Sequence, residues 1–298
     1  KLISSWLKEK KSKSKVKRVN LKYGENPNQN SFFLSKSKNN IFDCKISGKN
    51  LGYNNILDVS DGLNCLNEFS EPTCVILKHN NPCGVASNDN INKSFLMAYK
   101  SDTKSSFGGV VFLNRKIKKN LAEILQKYFF EIIVAPSFDK SSLKILKANK
   151  KLILIESKYL KNNQKINYRS VNTGILYQSN NNLKINKRLI NIDNDNLPSK
   201  SIVNDLIFAF KVVKHVKSNA IVLVKNKQTL GIGAGQMSRL DATKLALMKL
   251  KESFSTNNFV CASDAFFPFT DNIKLLKKNN CKAIIQPAGS INDSKVSS

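Results

Sequence analysis

Lys78 and His79 directly follow the apolar run of residues 74–77 and come shortly before an Asn-Pro pair. His79 is one of 2 histidines in the chain. A neutral imidazole can accept a proton near pH 7, and a neighbouring ammonium group can stabilise developing negative charge. Adjacent residues of a regular strand point to opposite faces, so both side chains can serve one site only in a turn or bulge. We therefore interpret the pair as candidate catalytic residues, with a surface lysine and a capping histidine as the alternative.

A glycine-rich segment ends at Arg239 and reads GIGAGQMSR (231–239). Its third glycine comes one residue too early for a dinucleotide-binding fingerprint, and the acidic residue of that motif is missing. Backbone N–H groups of such a turn can still approach an anion, and an arginine at a helix start can bind a phosphate or carboxylate through two hydrogen bonds. An ordinary tight turn remains the alternative.

The segment SDAFFPF (263–269) places three phenylalanines around a proline, between a predicted strand and a predicted helix. These rings could form a wall for a flat aromatic ligand, or they could plug the space under a loop. The neighbouring Asp264 and Asp271 favour a ligand site. The second histidine, His215, lies in an amphipathic segment, where a core role or a contact with the helix dipole is favoured over catalysis.

Hydrophobic periodicity predicts the elements that must position these residues. Helices are predicted at 94–100, 117–129, 141–148, 202–216, 241–251 and 272–278, and strands at 109–113, 131–135, 151–155, 219–224, 228–232, 259–262 and 283–286. The alternation predicts a layered α/β fold whose second half repeats the plan of the first. The polar, asparagine-rich residues 180–200 indicate a boundary, which gives a basic lead-in at 1–18, a first half at 19–197 and a second half at 198–298.

Composition excludes several classes of protein. The net charge is +28, but it comes mainly from lysines spread along the chain, whereas nucleic-acid modules favour arginine and aromatic platforms. We therefore expect no nucleic-acid partner. No run approaches 18 apolar residues, and the amino-terminal residues lack the order of a signal peptide, so no membrane partner is expected. The 6 cysteines are scattered, which predicts reduced thiols, no metal site and a cytoplasmic location.

A series of ordered blocks closely resembles the transformylase part of the bifunctional purine biosynthesis enzymes, in which AICAR formyltransferase is joined to IMP cyclohydrolase. The blocks are LKYGENPNQ (21–29), ILKHNNPCGVA (76–86), SSFGGVVFLN (105–114), EIIVAPSF (131–138), RSVNTGILYQ (169–178), FKVVKHVKSNAIV (210–222), GIGAGQMSR (231–239), SDAFFPFTDNI (263–273) and IIQPAGSI (284–291). The resemblance implies two similar α/β halves of the cytidine-deaminase-like type, without zinc, in a homodimer. It also implies formyl transfer from 10-formyltetrahydrofolate to the amine of AICAR, and leaves open a role for a monovalent cation.

The resemblance also implies roles for individual residues. His79 would be the base on the attacking amine, Lys78 the charge stabiliser or proton donor, and Asn219 the amide that orients the reacting groups. The residues that would hold the AICAR nucleotide are Lys22, Tyr23, Gly108, Glu131 and Arg239. The residues that would hold the folate are Phe266, Asp271, Gly289 and Ser290.

The chain departs from the family pattern at several points. Lys22 replaces the usual arginine, so a bidentate grip on phosphate becomes a point charge. The cyclohydrolase domain and the last part of the family sequence are not among these residues, so the second activity is expected elsewhere in the parent protein. The alternatives are an inactive nucleotide-binding fragment of the same fold and, more distantly, a nucleic-acid-binding protein.

Overall fold

The computed structural model describes residues 17–35, 39–160, 166–181, 183–191, 198–256 and 258–288. Its centre is a ten-stranded mixed sheet with the strand order β14-β13-β11-β12-β5-β4-β6-β7-β8-β3. Two antiparallel hairpins, β1-β2 and β9-β10, lie outside this sheet. Helices cover both faces of the sheet, so the architecture is a three-layer α/β/α arrangement.

The strands are β1 (Lys17–Leu21), β2 (Ser31–Ser35), β3 (Lys45–Ser47), β4 (Thr73–Lys78), β5 (Asn81–Ser87), β6 (Val110–Leu113), β7 (Ile132–Ala135), β8 (Ile153–Glu156), β9 (Ile166–Val171), β10 (Gly174–Ser179), β11 (Ile221–Lys225), β12 (Gln228–Gly233), β13 (Phe259–Ser263) and β14 (Cys281–Ile285). The helices are α1 (Tyr53–Leu66), α2 (Ile91–Ser101), α3 (Thr103–Ser106), α4 (Lys119–Leu125), α5 (Lys140–Leu146), α6 (Lys200–Val213), α7 (Arg239–Ser253) and α8 (Asp271–Lys278).

The central strands are continuous apolar runs because helices bury them on both faces. All residues of β6, β7 and β13 are buried. Helices α1 and α6 pack on one face of the sheet. Helices α2, α4 and α5 pack on the other face over the first half, and α7 and α8 continue that layer over the second half.

The two halves repeat one structural plan. Strands β5-β4-β6-β7 of the first half correspond to β12-β11-β13-β14 of the second, arranged outward from the centre of the sheet. Within this repeat, each half has a helix followed by a hairpin whose turn residues have positive φ: 51° and 60° at His79 and Asn80, and 52° and 54° at Asn226 and Lys227. In each half a buried helix aspartate, Asp58 or Asp205, accepts hydrogen bonds from the backbone N–H groups of that turn.

The halves meet at a seam between the antiparallel strands β5 and β12. Their regular pairing is confined to Gln228 opposite Ala86. Beyond it, the Thr229 hydroxyl accepts from the Val85 N–H at 2.9 Å and contacts the Ser101 hydroxyl at 3.0 Å. This side chain therefore takes the place of backbone pairing next to the single registered pair.

The predicted α/β class is confirmed, and the predicted strands and helices of the central sheet occur with small shifts at their ends. One prediction was too long: the helix at 117–129 covers only Lys119–Leu125, because the chain turns after Gln126 to bury Phe130 beside the sheet. Helix α1, strand β5 and the two separate hairpins were not predicted. Most of the predicted basic lead-in at 1–18 lies outside the described residues. Across the described part of the chain, none of the helices combines the length and apolar character needed to cross a membrane.

Candidate active site

The predicted site residues on the central sheet lie at one end of its strands. This end comprises the last residues of β4, β12 and β13 and the first residues of β5, β6, β7 and β11, because the paired strands run in these directions. Lys78 is the last residue of β4 and His79 follows it, Gly108 precedes β6, and Asn219 precedes β11. Ends of strands in α/β sheets are common ligand sites, and the shared end brings residues from distant segments together.

A two-residue turn, His79 and Asn80, directly follows Lys78 and joins β4 to β5. His79 and Asn80 both have left-handed backbone angles, a combination typical of tight hairpin turns. Lys78 and His79 can serve one site only if a turn or bulge interrupts the strand, and this turn begins at His79. The Asp58 carboxylate accepts from the Asn80 N–H at 2.8 Å, and Asp61 accepts from the Asn80 side chain at 2.8 Å. Burial raises the pKa of Asp58, although the Asn80 hydrogen bond and the nearby His79 oppose this effect.

Lys78 is fixed by the loop that precedes β6. Its Nζ donates a 2.6 Å hydrogen bond to the Phe107 carbonyl. Gly108 follows with φ of 71° and donates to the Phe129 carbonyl at 2.9 Å. The Phe107 and Phe129 rings lie 5.0 Å apart and are largely exposed. The ammonium group is thus held beside an exposed aromatic surface and a glycine turn.

The second half supplies Asn219 to the same end of the sheet. Its Nδ2 donates to the Gln236 and Met237 carbonyls at 2.9 and 3.2 Å. These bonds consume both amide hydrogens and hold the side chain on the glycine-rich loop. Two residues earlier, the Lys217 N–H donates to the Asn81 side chain at 2.9 Å. This contact crosses the seam and ties the Asn219 loop to the His79 turn.

Arg239, the first residue of α7, forms an ion pair with Asp264 and also donates to the Ser263 hydroxyl at 3.0 Å. Asp264 accepts further hydrogen bonds from the Ser218 hydroxyl and from the Ala220 N–H. Burial alone would raise the pKa of Asp264, but these donors and the Arg239 charge outweigh it and lower the pKa. Asp264 therefore links Arg239 to the Asn219 loop, a role that sequence reasoning did not assign.

Two of the three glycines in the segment 231–239, Gly231 and Gly233, serve helix packing. A Cβ on Gly231 would lie 2.0 Å from the Ala246 carbonyl oxygen, and one on Gly233 would lie 1.9 Å from the Ala242 carbonyl oxygen. Close approach of α7 to β12 therefore requires glycine at both positions. A Cβ on Gly84 would likewise lie 2.0 Å from the Ala98 carbonyl oxygen of α2, which extends the repeat between the halves.

Glu131 lies at the start of β7 and contacts two residues that the sequence did not indicate. Its carboxylate pairs with Lys49 and accepts from the Asn55 side chain at 3.2 Å. Lys22 and Tyr23 lie on the loop between β1 and β2. The Asn54 side chain connects this loop to the start of α1 by donating to the Glu25 carbonyl at 3.2 Å. The loop that carries Lys22 and Tyr23 and the Glu131 carboxylate thus both contact the start of α1, whereas Arg239 is held by Asp264 in the second half.

In the aromatic loop between β13 and α8 the plug interpretation holds for one ring, and the ligand-wall interpretation stays a prediction. Phe267 is fully buried and plugs the core, whereas Phe266 and Phe269 are 40% and 68% exposed. Asp271 is the first residue of α8, and its Oδ1 accepts from the Asn272 N–H at 2.7 Å. Phe266 is available to contact a ligand. Gly289 and Ser290 lie outside the described residues.

A cleft opens beside the His79 turn on the α2–α7 face of the sheet. It has a volume of about 440 Å³. Its lining includes Pro82 and Cys83 of β5, Ile232 of β12 and Ala234 directly after β12, so the cleft lies where the regular pairing of the seam strands has ended. Burial raises the pKa of the Cys83 thiol to about 12, which makes this thiol a poor nucleophile.

The thiols offer no evident metal chemistry. All 6 cysteines are in the described part of the chain and are unpaired. Within that part, no three His, Cys, Asp or Glu side chains are grouped so that they could hold a metal ion. His215 contacts Glu68 at 3.3 Å beside the Lys214–Glu68 pair, in agreement with a structural role.

Comparison with known proteins identifies the family. A family model described as AICARFT/IMPCHase bienzyme matches residues 1–249. The bifunctional purine biosynthesis protein PurH of Caldicellulosiruptor bescii is 47% identical over 280 residues, which cover 92% of this chain and 54% of that protein. PurH of Wigglesworthia glossinidia brevipalpis is 43% identical over 286 residues, covering 94% and 54%. The chain spans about half the length of the curated relatives it matches. By these matches, the chain belongs to the AICARFT/IMPCHase bienzyme family.

Proposed function

We propose that this protein transfers a formyl group from 10-formyltetrahydrofolate to the 5-amino group of AICAR, giving FAICAR in purine biosynthesis. The observation that carries the proposal is the meeting of Lys78 and His79 with the Asn219 loop at one end of the sheet, through the Lys217–Asn81 contact. The family membership is consistent with this chemistry. The amine of AICAR is conjugated with its ring and carboxamide, so it needs a base and close positioning.

The reaction replaces one C–N bond by another. The AICAR amine attacks the formyl carbon, and His79 accepts the proton that the amine loses. The bond between the formyl carbon and N10 of the folate breaks, and Lys78 supplies a proton to N10. Asn219 would orient the amine through its Oδ1 atom, and it would have to exchange one of its Nδ2 hydrogen bonds to orient the formyl oxygen as well. Charge that develops on the formyl oxygen is stabilised by the Lys78 ammonium group, which the Phe107 carbonyl holds in place.

Binding of the two substrates is assigned to two sets of residues around these catalytic groups. Lys22, Tyr23, Gly108, Glu131 and Arg239 would bind the nucleotide. Arg239 would have to share or exchange its Asp264 pair to contact a ligand. Phe266, Asp271, Gly289 and Ser290 would bind the folate, with the exposed Phe266 ring against its aromatic system.

We assign a second copy of this chain as its stable partner, in a homodimer. The support is the arm formed by β9 and β10, in which nearly every residue is exposed. Tyr168, Leu176 and Tyr177 are each more than 60% exposed. A two-stranded hairpin is marginally stable in isolation, and such exposed apolar residues are typical of interaction surfaces. The relatives are named bifunctional, which supports IMP cyclohydrolase as a second activity of the whole protein, in the cytoplasm.

Assay of the full-length protein with AICAR and 10-formyltetrahydrofolate tests the proposed activity. Formation of tetrahydrofolate and FAICAR in equal amounts is expected. Calorimetric binding of AICAR without turnover would instead support the inactive nucleotide-binding alternative. RNA binding that weakens steeply with salt would favour the nucleic-acid alternative. Assays in potassium and choline salts at equal ionic strength decide whether a monovalent cation takes part.

A further inference from the structure

An ion pair that no sequence motif indicated joins the two halves beside the cleft. Lys249 of α7 places its Nζ 2.9 Å from the Oδ2 atom of Asp102, which lies between α2 and α3. The two side chains are 23% and 10% exposed. Both residues line the cleft that contains Lys78 and His79. The pair is therefore a largely buried connection across the seam, close to the proposed site.

Asp102 also holds the short helix α3. Its Oδ1 accepts from the Ser105 N–H at 2.9 Å, and its Oδ2 accepts from the Ser105 hydroxyl at 2.6 Å. Helix α3 has 4 residues, too few to be stable without such contacts. Burial alone would raise the pKa of Asp102, but the hydrogen bonds from Ser105 and Lys249 and the Lys249 charge outweigh it and lower the pKa. The charged carboxylate is thus the favoured form.

Helix α3 ends beside the contact that fixes Lys78. Ser106 is its last residue, and the Phe107 carbonyl that follows accepts the hydrogen bond from Lys78 Nζ. The Gly109 N–H donates to the Ser106 carbonyl at 3.0 Å and keeps the turn closed. A continuous series of contacts therefore runs from Lys249 through Asp102 and α3 to the Phe107 carbonyl and Lys78.

We propose that Asp102 and Lys249 are positioning residues that set the place of the Lys78 ammonium group for formyl transfer, an inference that rests on the proposed function. Neither residue needs to touch a substrate. Lys249 belongs to the second half of the chain, and Lys78 belongs to the first. The Asp102–Lys249 ion pair therefore makes the position of the Lys78 ammonium group depend on the packing of the second half against the first. An error of about 1 Å in such a group can cost about a hundredfold in rate.

The same two helices provide a matched control. Lys104 of α3 lies 3.5 Å from Glu252 of α7, and its side chain is 79% exposed. Exposed pairs of this kind contribute little to stability or geometry. Glu252→Gln breaks this outer pair, whereas Lys249→Met breaks the inner one. A difference between the two variants separates the buried connection from a general loss of charge between α3 and α7.

Steady-state kinetics of the full-length protein provide the first test. Lys249→Met and Asp102→Asn are expected to lower kcat by about tenfold to a hundredfold and to change KM for either substrate by less than about twofold. Asparagine still caps a helix, so Asp102→Asn removes the charge and leaves the cap. Lys249→Arg should recover most of the rate, and Glu252→Gln should match the wild type. The double variant Asp102→Asn with Lys249→Met leaves no unpaired buried charge and should still be slow. A wild-type rate in this variant would show that the unpaired charge, and not the lost connection, slowed the single variants.

Hydrogen exchange provides a readout that does not require activity. The amides of residues 105–109 should exchange at least about tenfold faster in Lys249→Met than in Glu252→Gln, since local opening controls exchange. Unchanged exchange, or faster exchange with unchanged kcat, would overturn the positioning role. The two failures are distinguishable. If the wild-type protein transfers no formyl group, the proposed function is wrong. If hydrogen exchange is unchanged in Lys249→Met, the structural connection from Lys249 to residues 105–109 is wrong, whatever the activity.

Discussion

His79 allows the proposed chemistry to be separated from the backbone of its turn. The residue has a φ of 51°, a left-handed conformation that asparagine tolerates far better than alanine. His79→Asn should therefore retain the turn, whereas His79→Ala should also lose about 1 kcal/mol of folding stability. A general base contributes about 10² to 10⁴ in rate. We expect both variants to lose turnover by such a factor, equivalent to about 3–5 kcal/mol of transition-state stabilisation at roughly 1.4 kcal/mol per tenfold.

The repeat between the halves supplies the control for this prediction. Asn226 occupies the corresponding turn position, with a φ of 52°, at the other end of the sheet. Asn226→Ala should lose about 1 kcal/mol of stability, as His79→Ala does, with unchanged turnover. The measurements are kcat with saturating substrates, calorimetric affinity for AICAR and the free energy of unfolding in urea. AICAR affinity should stay within about threefold in His79→Asn, because the base acts in the transition state. Turnover by His79→Asn within tenfold of the wild type would refute the role of His79 as the base.

Three further predictions concern the fold around the site. Burial alone would raise the pKa of Glu68, but hydrogen bonds from His215 and Lys214 outweigh burial and lower that pKa. The folding stability that the Glu68 carboxylate contributes is therefore present above the ordinary pKa of 4.5 and is lost as pH falls through the lowered pKa. The difference in urea midpoint between the wild type and Glu68→Gln should therefore shrink at acid pH; a constant difference from pH 6 to 3 would contradict this account. With a pKa of about 12, the Cys83 thiol should react with iodoacetamide at pH 8 about a thousandfold more slowly than a free thiol. Peptide mapping measures this rate, and rapid labelling of Cys83 in the folded protein would contradict its burial. Gly231→Ala places a Cβ 2.0 Å from a helix carbonyl and should cost about 3 kcal/mol in urea unfolding, whereas Gly174→Ala, with no atom within 4 Å, should be neutral.

Local sequence patterns were sufficient for most of the central sheet. Runs such as Ile132–Ala135 are apolar throughout because helices cover both faces, and their length distinguishes them from helices. Strand β5 was missed because Pro82 and Gly84 resemble turn residues. Both are accommodated at the seam, where regular pairing has ended and α2 approaches closely. These features depend on the other half of the molecule, which local patterns do not report.

The candidate site shows the same division between local and distant information. The Lys78–His79 pair could be recognised from its residue types and its place after an apolar run. Asp102, Lys249 and Asp264 could not be assigned a role in this way, because their charged partners are distant in sequence. Asp264 pairs with Arg239, 25 residues away, and Lys249 of the second half pairs with Asp102 of the first. A charged residue in a helix, such as Lys249, has no local sign that distinguishes it from the many exposed lysines.

Because the regular pairing between β5 and β12 is short, the angle between the two halves rests largely on side-chain contacts such as Lys217–Asn81 and Asp102–Lys249, and the proposed formyl transfer would depend on that angle. Ala86, at the registered pair, is five residues along the strand from Asn81, a distance of about 17 Å at roughly 3.3 Å per residue. At that distance, a rotation of about 3° around the registered pair would move the His79 turn relative to Asn219 by nearly 1 Å. Such a displacement is enough to separate productive from unproductive geometry. A ligand that contacts both halves would oppose this rotation, so substrate binding itself would tighten the angle at which the proposed base and amide work together.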